Sequence, residues 1–307
     1  MGAKRDIVGL DIGSRTIKAV QLKKDKTEYR LTRIGKRELG NSADKDFVQE
    51  CLKDLMGELK VGGSQVAVAL QRSSVTINLS DFPYEVPLQE LEEYLYLEAE
   101  QLTGLKTGEF HLNYQRIHTP GFSKDILLSV IVGKKEVASL ISLLQKTGLT
   151  LQIVDVDVLA WENQYFFNYP KQVEKTVVAL DLGASKATLS VISAGYTIFS
   201  TAIDWGLSLI DFVSPTDKER SFKRLASLVM KKLKTYQEVI PVPSISSVIL
   251  SGGAAYYQSL PFVLNKKMEI PVALSDPFRR ITVKTAHPAL EKPSIYTTAV
   301  GLALRSS

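Results

Sequence analysis

The stretch LDIGSRTIKAV, residues 10–20, returns in altered form as LDLGASKATLSV, residues 180–191. In both copies an aspartate and a glycine interrupt a short apolar run, and a strand-like pattern then resumes, which is typical of two strands joined by a tight turn. Each copy is followed by a further strand-like stretch, KKDKTEYRLTRIG in the first half and SAGYTIFSTAI in the second. The copies lie too far apart for a stacked repeat. This pattern predicts a duplicated domain.

Both turns have the residues of a phosphate-binding loop. Gly13 and Gly183 allow backbone geometries closed to residues with a Cβ, so that successive N–H groups point outward and attract an anion. Two such hairpins facing each other would hold the phosphates of a nucleotide, with Asp11 and Asp181 holding Mg²⁺ through water. For either copy taken alone, an ordinary structural turn is the alternative. The hairpin residues predicted to bind nucleotide are Asp11, Gly13, Ser14, Arg15, Thr16, Lys18, Asp181, Gly183, Ala184 and Ser185.

A third candidate element is the stretch SVILSGGAAYY, residues 247–257. Its apolar residues 248–250 predict a buried strand, and Gly252 and Gly253 let the backbone come close to a flat ligand before a helix that we expect to start near Ala254. Gly252, Gly253 and Ala254 are therefore predicted to contact an adenosine. A tight strand-to-helix turn without a ligand is the alternative.

Composition places the chain among soluble globular proteins. Its 307 residues are 45% hydrophobic and 23% charged, with a formal net charge of +5. This mild charge does not indicate nucleic-acid binding, and we expect no nucleic-acid partner. No apolar run reaches the roughly 20 residues that a bilayer span requires, and the start MGAKRDIVGLDIG shows no signal-peptide core. The single cysteine cannot form an internal disulfide, which favours a cytoplasmic location.

A distinct insertion is predicted over about residues 74–156, with the order strand, acidic helix, two strands and helix. The acidic helix, within PLQELEEYLYLEAEQL, carries leucines on one face and glutamates elsewhere. Such a run of charges usually marks a helix face that is exposed to solvent, and this interpretation is preferred to acid–base chemistry by paired carboxylates. Templates for a P-loop or a zinc protease are absent from the sequence.

In this order and spacing, the motifs resemble the actin-like ATPases, and in detail the PilM family of type IV pilus assembly proteins, relatives of the division protein FtsA. The resemblance covers nearly the whole chain. It rests on VGLDIGSRTIKAVQL, LEEYLYLEAEQ, KKEVASLISLLQKTGLTLQIVDVDVLAWEN, VVALDLGASKATLSV, VILSGGAAYYQSL, DPFRRI and AVGLALR. In the last motif, Ala299, Gly301 and Ala303 are small enough for its helix to cross closely over a helix at residues 159–167. In the superfamily these two helices form the hinge.

The resemblance implies an α/β fold: actin-like (ribonuclease-H-like) duplicated domains, with an inserted small α+β subdomain and a shortened helical subdomain in the second half. The first domain would take residues 1–73 and 157–174, the inserted subdomain 74–156, and the second domain 175–307, with its reduced helical part at about 207–240. The implied cofactors are ATP or ADP with Mg²⁺.

The resemblance also implies a scaffold on the cytoplasmic side of the inner membrane, peripheral to it through partners. It would bind the cytoplasmic N-terminal peptide of a PilN-like bitopic membrane protein, in a groove between the first domain and the inserted subdomain, and pilus motor ATPases are further candidate partners. A peptide could add to a strand edge, with its basic residues near acidic ones of the scaffold. Val75, Ile77, Leu79, Glu92 and Glu93 are the residues predicted to meet it.

The chain departs from the family pattern between residues 205 and 252. It has a single evident helix there, where the family usually has a larger helical subdomain whose side chains contact the ribose. Phosphate binding is therefore better supported than adenosine binding, and we expect slow or absent ATP hydrolysis. If a residue positions water, Asp155 or Asp157 before the hinge helix is the candidate, with Asp155 chosen as the catalytic residue.

Two other classes stay open from the sequence. An exopolyphosphatase-like or kinase-like enzyme of the same superfamily would share the opening D-I-G-S, although such enzymes usually have a second phosphate loop richer in glycine. An FtsA-like filament protein is the other alternative. We would expect it to carry a terminal amphipathic membrane helix, and LALRSS shows no such pattern.

Overall fold

The computed structural model describes residues 6–40, 44–83, 87–117, 124–239, 244–285 and 287–306. Its strands form three sheets, of six, five and three strands. Among the described residues, no helix has the length and apolar character needed to cross a bilayer.

The first sheet is built around the first predicted hairpin. Its strand order is β14-β3-β2-β1-β4-β8. The bounds are β1 Val8–Ile12, β2 Thr16–Asp25, β3 Glu28–Glu38, β4 Gln65–Leu70, β8 Thr150–Val156 and β14 Ile281–Thr282. Strands β1 and β2 pair antiparallel with Asp11 opposite Lys18, whereas β4 runs parallel to β1. Both charged residues therefore sit at the turn end of the hairpin.

The second sheet repeats this arrangement around the second hairpin. Its order is β11-β10-β9-β12-β13, with bounds β9 Thr176–Leu182, β10 Ala187–Ser193, β11 Tyr196–Ile203, β12 Ile245–Ser251 and β13 Val272–Leu274. Strand β9 pairs antiparallel with β10 and parallel with β12, as β1 does with β2 and β4. The matched order confirms the predicted duplication and the α/β fold class.

The third sheet belongs to the inserted region and has the order β5-β7-β6. Its strands are β5 Thr76–Pro83, β6 Phe110–Ile117 and β7 Lys124–Gly133, and both neighbours pair antiparallel with β7. Helix α2, Leu88–Thr103, buries Leu91, Leu95 and Ala99 beneath it. Helix α3, Lys134–Gln145, leads from β7 back towards the first sheet.

The other described helices lie outside the inserted region. They are α1 Lys45–Leu59, α4 Asp157–Asn168, α5 Pro215–Val239, α6 Ser259–Met268 and α7 Thr297–Ala303. Asp44 caps α1 by accepting from the Asp46 N–H. Helix α1 ends at Lys60, which has a left-handed conformation. Between residues 205 and 245, the described part of the chain holds α5 and one short 3₁₀ turn, which confirms the shortened helical subdomain.

Helix α7 is completely buried between α4 and β1. A Cβ on Gly301 would lie 1.8 Å from the Ala160 carbonyl oxygen, and one on Gly9 would lie 2.1 Å from the Ala299 carbonyl oxygen. The predicted close crossing of α4 is therefore made at Gly301. The alanines of the motif lie against Gly9 of β1, on the other side of α7.

The C-terminal stretch contacts the first sheet extensively. Strand β14 pairs with β3, and a buried cluster joins Phe278 and Tyr296 to Val20 and Ile34 of the first sheet. The predicted domain bounds, which group this stretch with the second domain, did not anticipate these contacts. The bounds themselves stay a prediction.

Replacing Gly301 with alanine should destabilise the protein, because the new methyl group meets backbone that cannot move aside cheaply. Overpacking of this kind costs about 1–3 kcal/mol. The matched control is Gly57→Ala in α1, where nothing lies within 4 Å of the added Cβ. There alanine should stabilise by about 0.5–1 kcal/mol through its helix propensity. Thermal unfolding midpoints measure both, and equal midpoints for the two variants would contradict the packing analysis.

Candidate functional site

A cavity of about 550 Å³ lies where the first and second sheets face each other. This volume is within the range of small-molecule sites. The turns of both hairpins and the Gly252–Gly253 turn line it. The predicted residues that it brings together are Asp11, Gly13, Ser14, Arg15, Thr16, Lys18, Asp181, Gly183, Ala184, Ser185, Gly252 and Gly253.

The two hairpin turns touch each other across the cavity. The Ser14 and Ser185 hydroxyl oxygens are 3.2 Å apart. A Cβ on Gly183 would lie 2.8 Å from the Lys186 carbonyl oxygen, closer than the backbone allows without a shift, and one on Gly13 would be in tight contact at 3.0 Å from the Thr16 carbonyl oxygen. Neither glycine has a positive φ. The predicted reason, a backbone geometry closed to other residues, is corrected to steric contact within each turn.

The third turn does contain a left-handed glycine. Gly252 has φ +83°, and a Cβ there would lie 2.4 Å from the Leu182 carbonyl oxygen. The helix expected near Ala254 is a 3₁₀ turn over Gly253–Tyr256, and α6 begins only at Ser259. Ala254 is fully buried in the core of the second sheet and lies outside the cavity lining, so its predicted contact with adenosine is not supported.

Charged groups that line the cavity are held by hydrogen bonds. The Lys18 Nζ donates to Asp11 Oδ2 at 2.8 Å. Ser251 Oγ donates to Asp181 Oδ1 at 2.6 Å and accepts from the Trp161 indole N–H at 2.9 Å, which links the aspartate to α4. Burial raises the pKa of Asp181, and the nearby Asp11 charge adds to the rise. Burial would lower the pKa of Lys18, but the charge and hydrogen bond of Asp11, together with the charges of Asp181 and Glu38, outweigh it and the pKa is raised.

A third carboxylate, Asp157, lines the cavity at the first residue of α4. Its Oδ2 accepts from the Arg72 backbone N–H at 2.9 Å and its Oδ1 from the Val158 N–H at 2.8 Å. Burial is the main reason that its pKa rises to about 7, and the charges of Asp181 and Asp11 contribute. The carboxylate therefore holds a proton well above the normal range of aspartate.

Asp155, which the sequence predicted as the catalytic residue, lies outside the cavity. Its Oδ2 accepts from the Arg305 Nε at 2.8 Å, and its Oδ1 accepts from the Val156 N–H. Of the two candidates that the sequence offered, Asp157 lines the cavity and Asp155 does not. Because the chain changes from strand to helix between these two residues, they point to different surroundings in spite of their short separation.

Sequence reasoning missed the segment at residues 206–212. The Leu207 and Ser208 N–H groups donate to the Gly183 and Ala184 carbonyl oxygens, both at 3.0 Å. Asp211 forms an ion pair with Arg15 of the first hairpin. The segment therefore binds both hairpins, and Leu207, Asp211 and Phe212 line the cavity. No repeat or periodic pattern in the sequence could have indicated it.

Comparison with known proteins identifies the family. The sequence model described as type IV pilus assembly protein PilM matches residues 9–210 and 221–307. The chain belongs to the PilM family of type IV pilus assembly proteins. This confirms the resemblance found in the sequence.

Solved structures similar to this PilM-family protein support the fold. A chain of a PilM–PilN type IV pilus biogenesis complex matches with a TM-score of 0.81 at 17% identity, covering 99% of both chains. The cytoplasmic domain of EpsL, an inner-membrane component of the type II secretion system of Vibrio cholerae, matches with a TM-score of 0.51 at 11% identity, covering 98% of this chain and 95% of that one. MreB 5 of Spiroplasma citri bound to AMPPNP also matches, with a TM-score of 0.51 at 11% identity, covering 98% and 96%.

The residues predicted to meet a partner differ in how accessible they are in this PilM-family structure. Val75 is buried and Ile77 half-buried against Val156 and Val158, so their side chains serve the core and do not form a groove wall. Leu79 is half-buried. Glu92 and Glu93 on α2 are exposed, and β5 is an edge strand of its sheet. The accessible features are thus a strand edge and an acidic helix surface.

Asp157 should make the stability of the protein fall as pH rises towards 7. The folded protein keeps this proton up to about pH 7, whereas an unfolded aspartate loses it near pH 4, its unshifted value being 3.8. Between these values stability decreases by up to about 1.4 kcal/mol per pH unit, and no slope from this group remains above pH 7.

In Asp157→Asn the slope is absent, so the variant should gain about 1–3 kcal/mol relative to wild type between pH 5 and 7.5. Thermal unfolding of both proteins over this range measures the gain. Parallel profiles would refute the assignment.

Proposed function

We propose that this type IV pilus assembly protein binds ATP or ADP in the cavity between the two hairpins. The observation that carries the proposal is the meeting of two glycine-containing turns, one from each sheet, within 3.2 Å at Ser14 and Ser185. Turns of this kind present backbone N–H groups to an anion. The bound AMPPNP of the MreB relative is compatible with this use of the fold.

Mg²⁺ fits the chemistry of the cavity, although no cluster of three or more His, Cys, Asp or Glu side chains that could hold a metal occurs in the part of the chain that the structure describes. The raised pKa values of Asp157 and Asp181 reflect buried negative charge that a cation would relieve. Mg²⁺ usually keeps several waters and is held by one or two carboxylates together with phosphates. Asp11 and Asp181 are the carboxylates proposed to hold it in this way, through water.

Turnover of bound ATP is proposed to be slow or absent. Asp157 is the residue best placed to accept a proton from water, but its carboxylate is already anchored by two backbone N–H groups. The shortened helical region provides fewer side chains to fix the nucleotide. Both features favour a nucleotide that stays bound between the two sheets over one that is hydrolysed.

The proposed partner is the cytoplasmic N-terminal peptide of a PilN-like bitopic membrane protein. The edge of β5 can accept an extended peptide by strand addition, and the acidic surface of α2 complements basic residues near a membrane. The similar structure of a PilM–PilN complex supports this choice. Association with the cytoplasmic face of the inner membrane would follow through that partner, and pilus motor ATPases are further candidates for contact.

The nucleotide site is tested by isothermal titration of ATP with and without Mg²⁺. We expect binding that depends on Mg²⁺ and is abolished in the Asp11→Ala, Asp181→Ala double variant. Asp155→Ala combined with Asp276→Ala is the matched control, since neither residue lines the cavity. Circular dichroism checks that each variant folds. Unchanged affinity in the Asp11, Asp181 variant would place the nucleotide elsewhere.

The partner surface is tested by reversing charges on α2. Glu92→Lys with Glu93→Lys should weaken binding of a PilN-type N-terminal peptide about 5- to 10-fold at low ionic strength, with a smaller effect in 0.5 M salt, because exposed charges act mainly by steering. Glu174→Lys with Glu238→Lys changes net charge equally, outside the inserted region, and should leave binding unchanged. Fluorescence anisotropy of a labelled peptide measures both. Equal losses in the two double variants would indicate a general charge effect and no site on α2.

A further inference from the structure

Phe212 is the most exposed large apolar residue among those that the structure describes. Its relative exposure is 105%, compared with 68% for Phe262, the next aromatic residue in order. It also has φ +60°, in the left-handed region that a bulky side chain rarely adopts. Both features are unfavourable for stability, and such strain is concentrated at functional positions.

The neighbours of Phe212 fix it in this conformation. Ile210 is fully buried and Val213 packs against the core of the second sheet. Asp211, between them, is held by Arg15. The chain is therefore anchored on both sides, and Phe212 is the one residue of this run that projects fully into solvent.

Phe212 projects at the wall of the cavity already described. Leu207, at the start of the same segment, would lie 3.7 Å from a Cβ on Gly253, so the segment runs beside the flat glycine turn. The segment contributes two apolar side chains, Leu207 and Phe212, to the cavity lining alongside Asp211, whereas the hairpins and α4 contribute Asp11, Lys18, Asp157 and Asp181. A ligand with a charged end and a flat apolar end matches this division.

We propose that Phe212 stacks on the purine base of the nucleotide and supplies affinity that the shortened helical region does not. This inference rests on the proposed nucleotide site. The backbone at Phe212 is anchored on both sides, and a phenylalanine side chain has only two rotatable angles to lose when a base stacks on it. Ring–base stacking adds affinity without requiring hydrogen bonds to base edges. Phe212 is thus a specificity-determining residue that favours purines over pyrimidines through the larger ring surface.

The test compares ligands that share phosphates but differ in the base. ATP, UTP and inorganic tripolyphosphate are titrated, each with Mg²⁺, into wild type, Phe212→Ala, Phe212→Tyr and Phe262→Ala. Alanine keeps the Cβ and thus the backbone strain of Phe212, so the comparison removes only the ring. Phe262→Ala removes an exposed ring of α6 that does not line the cavity.

We expect Phe212→Ala to weaken ATP binding about 5- to 100-fold, UTP binding less, and tripolyphosphate binding not at all. Phe212→Tyr should restore ATP affinity, and Phe262→Ala should match wild type.

ATP affinity unchanged in Phe212→Ala would overturn the stacking role while leaving the phosphate site intact. Equal losses for ATP and tripolyphosphate would also overturn it, since the ring would then act on the shape of the loop. Failure of wild type to bind any of the three ligands would overturn the proposed nucleotide site itself.

Discussion

The architecture depends on how closely α7 can lie between α4 and β1. A Cβ at Gly301 or Gly9 would come within 1.8 Å or 2.1 Å of a carbonyl oxygen of the facing element. Because both positions are glycine, α7 is buried with backbone against backbone on two sides. It fixes α4 relative to β1, and these two elements carry Asp157 and Asp11 of the cavity. The positions of the carboxylates therefore follow from packing as much as from the hairpins themselves.

That packing places buried negative charge in the cavity. Three carboxylates, those of Asp11, Asp157 and Asp181, line the same cavity, and buried charge without a partner is costly. Lys18 is already bonded to Asp11, and Arg15 to Asp211. The protein relieves the remaining charge with a proton on Asp157, whose pKa rises to about 7. If the proposed Mg²⁺ binds beside these carboxylates, its positive charge would favour loss of that proton.

Much of this arrangement could be predicted because it is encoded locally. The hairpins have alternating strands and a fixed turn composition, and their repetition predicted the duplicated sheets. The choice between Asp155 and Asp157 could not be made in the same way. It depends on the change from strand to helix after Val156 and on Arg305, which is distant in sequence. The segment at 206–212 was also unpredictable, since its conformation is set by bonds to both hairpins and by no periodic pattern of its own.

Arg72 connects the cavity with the inserted region. Its backbone N–H donates to Asp157, while its guanidinium donates to the carbonyl oxygens of Val75, just before β5, and Ser200 of β11, at 2.8 and 2.9 Å. Burial lowers the pKa of this guanidinium, so it depends on these acceptors. One residue thus contacts the proton-holding carboxylate, the start of the edge strand and the second sheet. If a ligand in the cavity and a peptide at β5 both shift Arg72, each must change the affinity of the other by the same factor, because the coupling between two binding sites is reciprocal.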